Sequence, residues 1–219
     1  MHIHPSRILR RGARAGFTLI ELLAVMLIIS ILAMFLLPQI PAALDRANVT
    51  ACKANMGAIN QGLMLYHMNF KRMPKGSGVG FFAALITDKV WESTATSARR
   101  LTCPGVEIES LTGIAGIDEE EWYIDRDLID GSYSSYAGRN MQEYAFRKFP
   151  ISGKQALVAD DNDPDGNHRT ATVILWGDGA AREWELVEAE QNGLIDREAE
   201  FIPVGPESPI EALQRLSLD

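Results

Sequence analysis

Apolar and polar positions change rhythm twice along the chain. From Phe17 to Leu37 the sequence FTLIELLAVMLIISILAMFLL is apolar on every face and carries one charge, Glu21. Its length is close to the roughly 20 residues an α-helix needs to cross a bilayer's hydrocarbon layer. A secretory signal has a shorter apolar core and a small-residue cleavage site, whereas this run leads into Pro38-Gln39-Ile40-Pro41. Beyond Pro41 the apolar residues thin to a stripe, Val49, Cys52, Met56, Ile59, Leu63, Tyr66 and Phe70. Alternating steps of three and four predict a helix with one buried face, ending near Lys71 because Pro74 disfavours helical geometry before it. Phe81–Trp91 reads as a further short helix.

The second half of the chain predicts strands. Residues 132–137 (SYSSYA) alternate polar and apolar or aromatic positions, and 156–159 (ALVA) and 171–176 (ATVILW) are apolar runs of strand length. Gly177-Asp178-Gly179 is a turn, after which 180–186 returns as the partner strand. Residues 187–219 are acidic and contain proline, and suggest a surface-lying tail with a short helix over 209–216. The architecture this implies is α+β: a long N-terminal helix, half membrane-spanning and half amphipathic, packed on a C-terminal antiparallel sheet.

The chain has 219 residues and a formal net charge of −8. That acidity argues against nucleic acid as a primary partner, because binding phosphates requires a basic surface. Basic residues do gather before the apolar run, at Arg7, Arg10, Arg11 and Arg14. The positive-inside tendency therefore places the N-terminus in the cytoplasm and the remainder outside. Glu21 is the residue most in need of explanation. A carboxylate inside an apolar span costs about 2.5–3.5 kcal/mol on insertion scales and calls for a partner.

Arg14-Ala15-Gly16-Phe17-Thr18-Leu19-Ile20-Glu21 closely resembles the type IV prepilin processing motif. The resemblance implies a leader over 1–16, cut by a prepilin peptidase between Gly16 and Phe17, and N-methylation of the new Phe17 amine. It further implies a transmembrane helix over 17–37, its amphipathic continuation over 38–75 and an extracytoplasmic head over 76–219. In such proteins the glutamate at the position of Glu21 neutralises a neighbouring subunit's N-terminal amine during assembly. Pro38 matches a proline that commonly kinks the helix. In the head, Cys52, Cys103-Pro104, Ser135-Tyr136-Ala137 and the 174–180 hairpin resemble G-like pseudopilins of type II secretion. The implied role is a filament subunit whose partners are other pilins, the peptidase and an inner-membrane assembly platform, with the head in the periplasm. The alternatives are a single-pass binding protein that does not polymerise and a secreted enzyme.

Two head features carry candidate chemistry. Cys52 and Cys103 could form one bridge in an oxidising compartment, closing a loop of about 50 residues and adding about 2–4 kcal/mol; the other reading is two buried thiols. Asp161, Asp163 and Asp165 before Gly166 reproduce the opening of a calcium loop, although Thr172 stands where its closing glutamate belongs. The same residues also suit a solvated turn. His168 beside them is a poor match to catalytic zinc, which usually takes three spaced protein ligands. Gly76–Gly80 lacks the ending of a phosphate-binding loop, and no G-x-S-x-G motif is present. The expectation is a non-enzyme, with calcium the one candidate cofactor.

Overall fold

Helical backbone extends from Leu19 to Phe70. The computed structural model describes residues 17–160 and 167–219. Helix α1 (Leu19–Leu36) has no buried side chain. Its internal polar side chains are satisfied locally: Ser30 Oγ donates to Met26 O at 2.8 Å, and Glu21 bonds to Thr18. A helix of 18 residues is about 27 Å long, which suits a bilayer's hydrocarbon layer. Pro38 lacks an N–H and its ring crowds the preceding turn. The backbone accordingly tightens into a 3₁₀ turn over Leu37–Gln39 before helix α2 (Ile40–Phe70) begins.

The chain divides into two compact units, Met1–Ala42 and Ala43–Asp219. In the second, α2 buries Val49, Cys52, Met56, Ile59, Leu63 and Tyr66, the expected stripe. Phe70 departs from it and lies 41% exposed. Its ring stacks on Tyr66 at 4.6 Å between centroids, with the Arg72 guanidinium 5.6 Å from both rings. Helix α3 (Val79–Thr87) starts and stops earlier than expected. Lys89 adopts a positive φ of 60° and Trp91 N–H turns back to Leu85 O at 2.7 Å, which closes it. A short helix α4 (Ala95–Arg99) and several 3₁₀ turns lead to the sheet.

Strands β1 (Tyr136–Arg139), β2 (Ala156–Asp160), β3 (Ala171–Trp176) and β4 (Ala181–Glu185) are followed by helix α5 (Leu186–Gln191) and strand β5 (Leu216–Ser217). All pairings are antiparallel, in the order β4-β3-β2-β1-β5. The fold is therefore α+β with the long helix and antiparallel sheet expected. Strand β1 begins later than the 132–137 alternation suggested. Asp130 Oδ1 accepts the Ser132 N–H and closes a 3₁₀ turn over Gly131–Tyr133, while the Ser135 hydroxyl accepts the Cys103 N–H.

The C-terminal region corrects a second expectation, because it is not a surface-lying tail. One core joins α2 and α3 to Tyr136, Leu157, Val173 and Leu175. Another gathers Ala137, Ala159 and Ile174, from the opposite face of the sheet, with Ala189, Ile202, Ile210, Leu213 and Leu216. Both faces of the central strands are thus covered, which explains why ALVA is continuously apolar and ATVILW is interrupted only by Thr172, in place of a polar–apolar alternation. Residues 213–215 form a 3₁₀ turn within the segment expected to be helical, and β5 then pairs with β1. The edges of the sheet are protected differently: β4 presents Arg182, Glu183 and Glu185, and β5 has two residues. Gly138 of β1 is required by a close backbone approach, since a Cβ there would meet Gly78 O at 2.0 Å.

Candidate functional site

Of the residues expected at the processing point, Gly16 lies outside the described residues, and Phe17 is exposed just before the cap residue of α1. Thr18 has extended geometry and caps α1, and with Glu21 it forms a reciprocal capping box. The Glu21 N–H donates to Thr18 Oγ1 at 3.3 Å, while Glu21 Oε2 accepts the Thr18 N–H at 2.8 Å and its hydroxyl at 2.7 Å. Two orphan donors at a helix start are satisfied by this arrangement. Both acceptances fall on one oxygen. Among the described residues Oε1 has no partner, so the carboxylate has capacity to take a further donor without opening the cap. A negative charge in the first turn also complements the helix dipole.

In the head, four buried side chains from distant parts of the chain converge. Cys52 comes from α2, Cys103 from the Cys-Pro loop after α4, Asp160 from the end of β2, and His168 from just before β3. Their donor atoms all lie within 4.8 Å of one another. The Cys52 thiol donates to Asp160 Oδ1 at 3.0 Å and lies 3.3 Å from the Tyr136 hydroxyl. Cys103 Sγ is 3.4 Å from His168 Nε2, which is 3.2 Å from Asp160 Oδ2. Asp160 Oδ2 also accepts the Val173 N–H at 3.0 Å. On the other side of the ring, His168 Nδ1 is 3.8 Å from Asp45 Oδ1, and the Asp45 carboxylate is held by Arg169 N–H and the Thr170 hydroxyl. The structure thus brings the two expected cysteines together as buried, free thiols without a bridge.

The electrostatics follow from the packing. Burial disfavours charge on His168, but hydrogen bonds and charges from Asp160 and Cys103 outweigh it and raise the imidazole to about 10. Burial, with Cys103 and Asp160 beside it, pushes the Cys52 thiol well up. Hydrogen bonding with Cys52, helped by His168, holds Cys103 below the ordinary thiol value despite its burial. Sequence reasoning placed His168 among the loop aspartates and did not connect it or Asp160 with the cysteines. The candidate calcium residues Asp161, Asp163 and Asp165 lie outside the described residues.

The prokaryotic N-terminal methylation motif matches residues 11–37. The chain is also similar to the type II secretion system core protein G of Pseudomonas aeruginosa, with 38% identity over 61 residues. That match covers 28% of this chain and 43% of the relative, so the chain spans less than half the length of the protein it matches. No solved structure matches it significantly. The chain carries the methylation motif of prepilins and is similar to a type II secretion pseudopilin.

Proposed function

We propose that this protein is a membrane-anchored pilin-type subunit of a type II secretion or type IV pilus filament, with a structural role and no catalytic one. The observation that carries the reading is α1: a methylation motif at its start, no buried side chain along its length, and a capped carboxylate in its first turn. Apolar surface of this extent must be covered by lipid or by other helices. A prepilin peptidase cuts between Gly16 and Phe17 on the cytoplasmic side, and the Phe17 amine is methylated. The helix remains in the inner membrane with the head in the periplasm. Assembly moves α1 from lipid to a bundle of identical helices, where Glu21 Oε1 accepts the amine of a neighbouring subunit.

Mass spectrometry of the full chain, recovered from membranes of cells with and without a prepilin peptidase, tests this. The expected product with peptidase begins at N-methylated Phe17, and the unprocessed chain accumulates without it. Retention of the leader in both cells points to a plain single-pass anchor, and a start beyond Leu37 to a secreted protein. Either result overturns the proposal.

A further inference from the structure

We infer that Cys52, Cys103, Asp160 and His168 form a structural zinc site in the head. The donor set is two thiols, an imidazole and a carboxylate, a combination that suits zinc, whose closed structural sites are tetrahedral. Zinc with its usual bond lengths sets such ligand atoms about 3.3–3.8 Å apart. Among the proposed ligand atoms, Cys103 Sγ lies 3.4 Å from His168 Nε2 and Cys52 Sγ lies 3.0 Å from Asp160 Oδ1, and a donor atom from each of the four residues lies within 4.8 Å of the others. The ion would enter with small outward movements of the side chains.

Burial points the same way. Cys52, Cys103, Asp160 and His168 are 0, 1, 1 and 4% exposed, so no position is left open for a substrate water and the role is structural. Four polar groups withdrawn from water require strong partners. A Cys52–Cys103 bridge would serve two of them only and would remove the thiol donor from Asp160 Oδ1. Zinc serves all four: Cys52, Cys103 and His168 Nε2 each lose a proton to solvent and bind as two thiolates and a neutral imidazole, and Asp160 binds through Oδ1. Asp160 Oδ2 keeps the Val173 N–H. His168 Nδ1 then faces the Asp45 carboxylate, the outer partner that orients a ligating imidazole. The ion would tie α2, the Cys-Pro loop and the ends of two strands, joining segments otherwise far apart in sequence.

The test uses the full chain purified in detergent without reductant or chelator. Metal analysis should find a single equivalent of zinc per chain, and thiol titration after denaturation in chelator should find both cysteines reduced. Replacement by cobalt should give the visible bands of tetrahedral coordination with near-ultraviolet thiolate charge transfer. Cys103→Ser should weaken that charge transfer. Asp45→Asn retains all four ligands and should weaken zinc affinity about 10–100-fold in competition with a chromophoric chelator. Should the cysteine variant fail to fold, the wild-type cobalt spectrum decides alone. A Cys52–Cys103 disulfide in the isolated protein, or a reduced protein that takes up neither zinc nor cobalt, overturns the site. None of these measurements depends on filament assembly.

Discussion

At the residue scale, Glu21 joins one observed task to one proposed task. Its Oε2 closes the cap on α1, and its negative charge is the proposed partner of a neighbour's amine. Glu21→Gln separates them, because an amide oxygen still accepts from Thr18 while the charge is gone. The expected outcome is a chain processed normally, with unchanged helicity by circular dichroism, that fails to enter filaments. Removing one partner from a buried charge pair costs about 3–5 kcal/mol, and each 1.4 kcal/mol or so is tenfold. Incorporation should therefore fall about 100-fold or more, measured by cross-linking in membranes and in sheared filaments. Wild-type incorporation of the glutamine variant would leave capping as the residue's entire role. The need for a partner at Glu21 was legible in the sequence, since one charge in an apolar run identifies itself. The Thr18 cap is equally legible in the T-x-x-E spacing.

At the scale of elements, α2 meets α3 through a glycine. A Cβ on Gly62 would lie 2.7 Å from Leu85 Cδ1 and 2.9 Å from Trp91 Cζ2, whereas a Cβ on Gly57 would meet nothing within 4 Å. The two alanine substitutions should therefore act in opposite directions. Gly57→Ala gains helix propensity and should stabilise the head by up to about 1 kcal/mol. Gly62→Ala gains the same propensity but overpacks a filled interface, which typically costs about 1–3 kcal/mol. Urea denaturation of the two variants should show the midpoint moving up for Gly57→Ala and down for Gly62→Ala; matching shifts would contradict this packing. The spacing of α2's apolar residues foretold which face is buried, because helical period and burial are linked directly. It did not distinguish the two glycines, whose difference depends on α3. The burial of the C-terminal segment is illegible in the sequence for a related reason. Its Ile202 stands alone, and Ile210, Leu213 and Leu216 step by three over only two turns, so the pattern reads as a tail with a short helix and not as cover for a sheet. The better signal lay elsewhere, in central strands apolar at successive positions, which require cover on both faces.

For the molecule as a whole, the informative contrast is between a segment with no buried side chain and a head that supplies its own core. The anchor was readable from length and composition alone. The four-ligand cluster was not, because its members are far apart in sequence and show none of the short spacings that mark a zinc site. They meet only once α2, the Cys-Pro loop and the sheet are in place. Every residue of both cores lies at or beyond Val49, and Asp45, near the start of the second unit, bonds residues 169 and 170 within that unit. A chain beginning at Ala43 would therefore keep every residue of both cores, and it would keep an acidic side chain in its first helical turn, where the dipole favours one. Exported without the anchor, residues 43–219 should be soluble and monomeric by light scattering, with cooperative thermal unfolding at the midpoint of the full chain. They should also be absent from filaments formed by the intact protein, since apolar contact among anchors is the proposed source of cohesion. An insoluble or non-cooperative head would mean that its stability depends on the anchor. A soluble head that still entered filaments would mean that cohesion resides in head-to-head contacts, and the exposed apolar surface of α1 would then serve membrane retention alone.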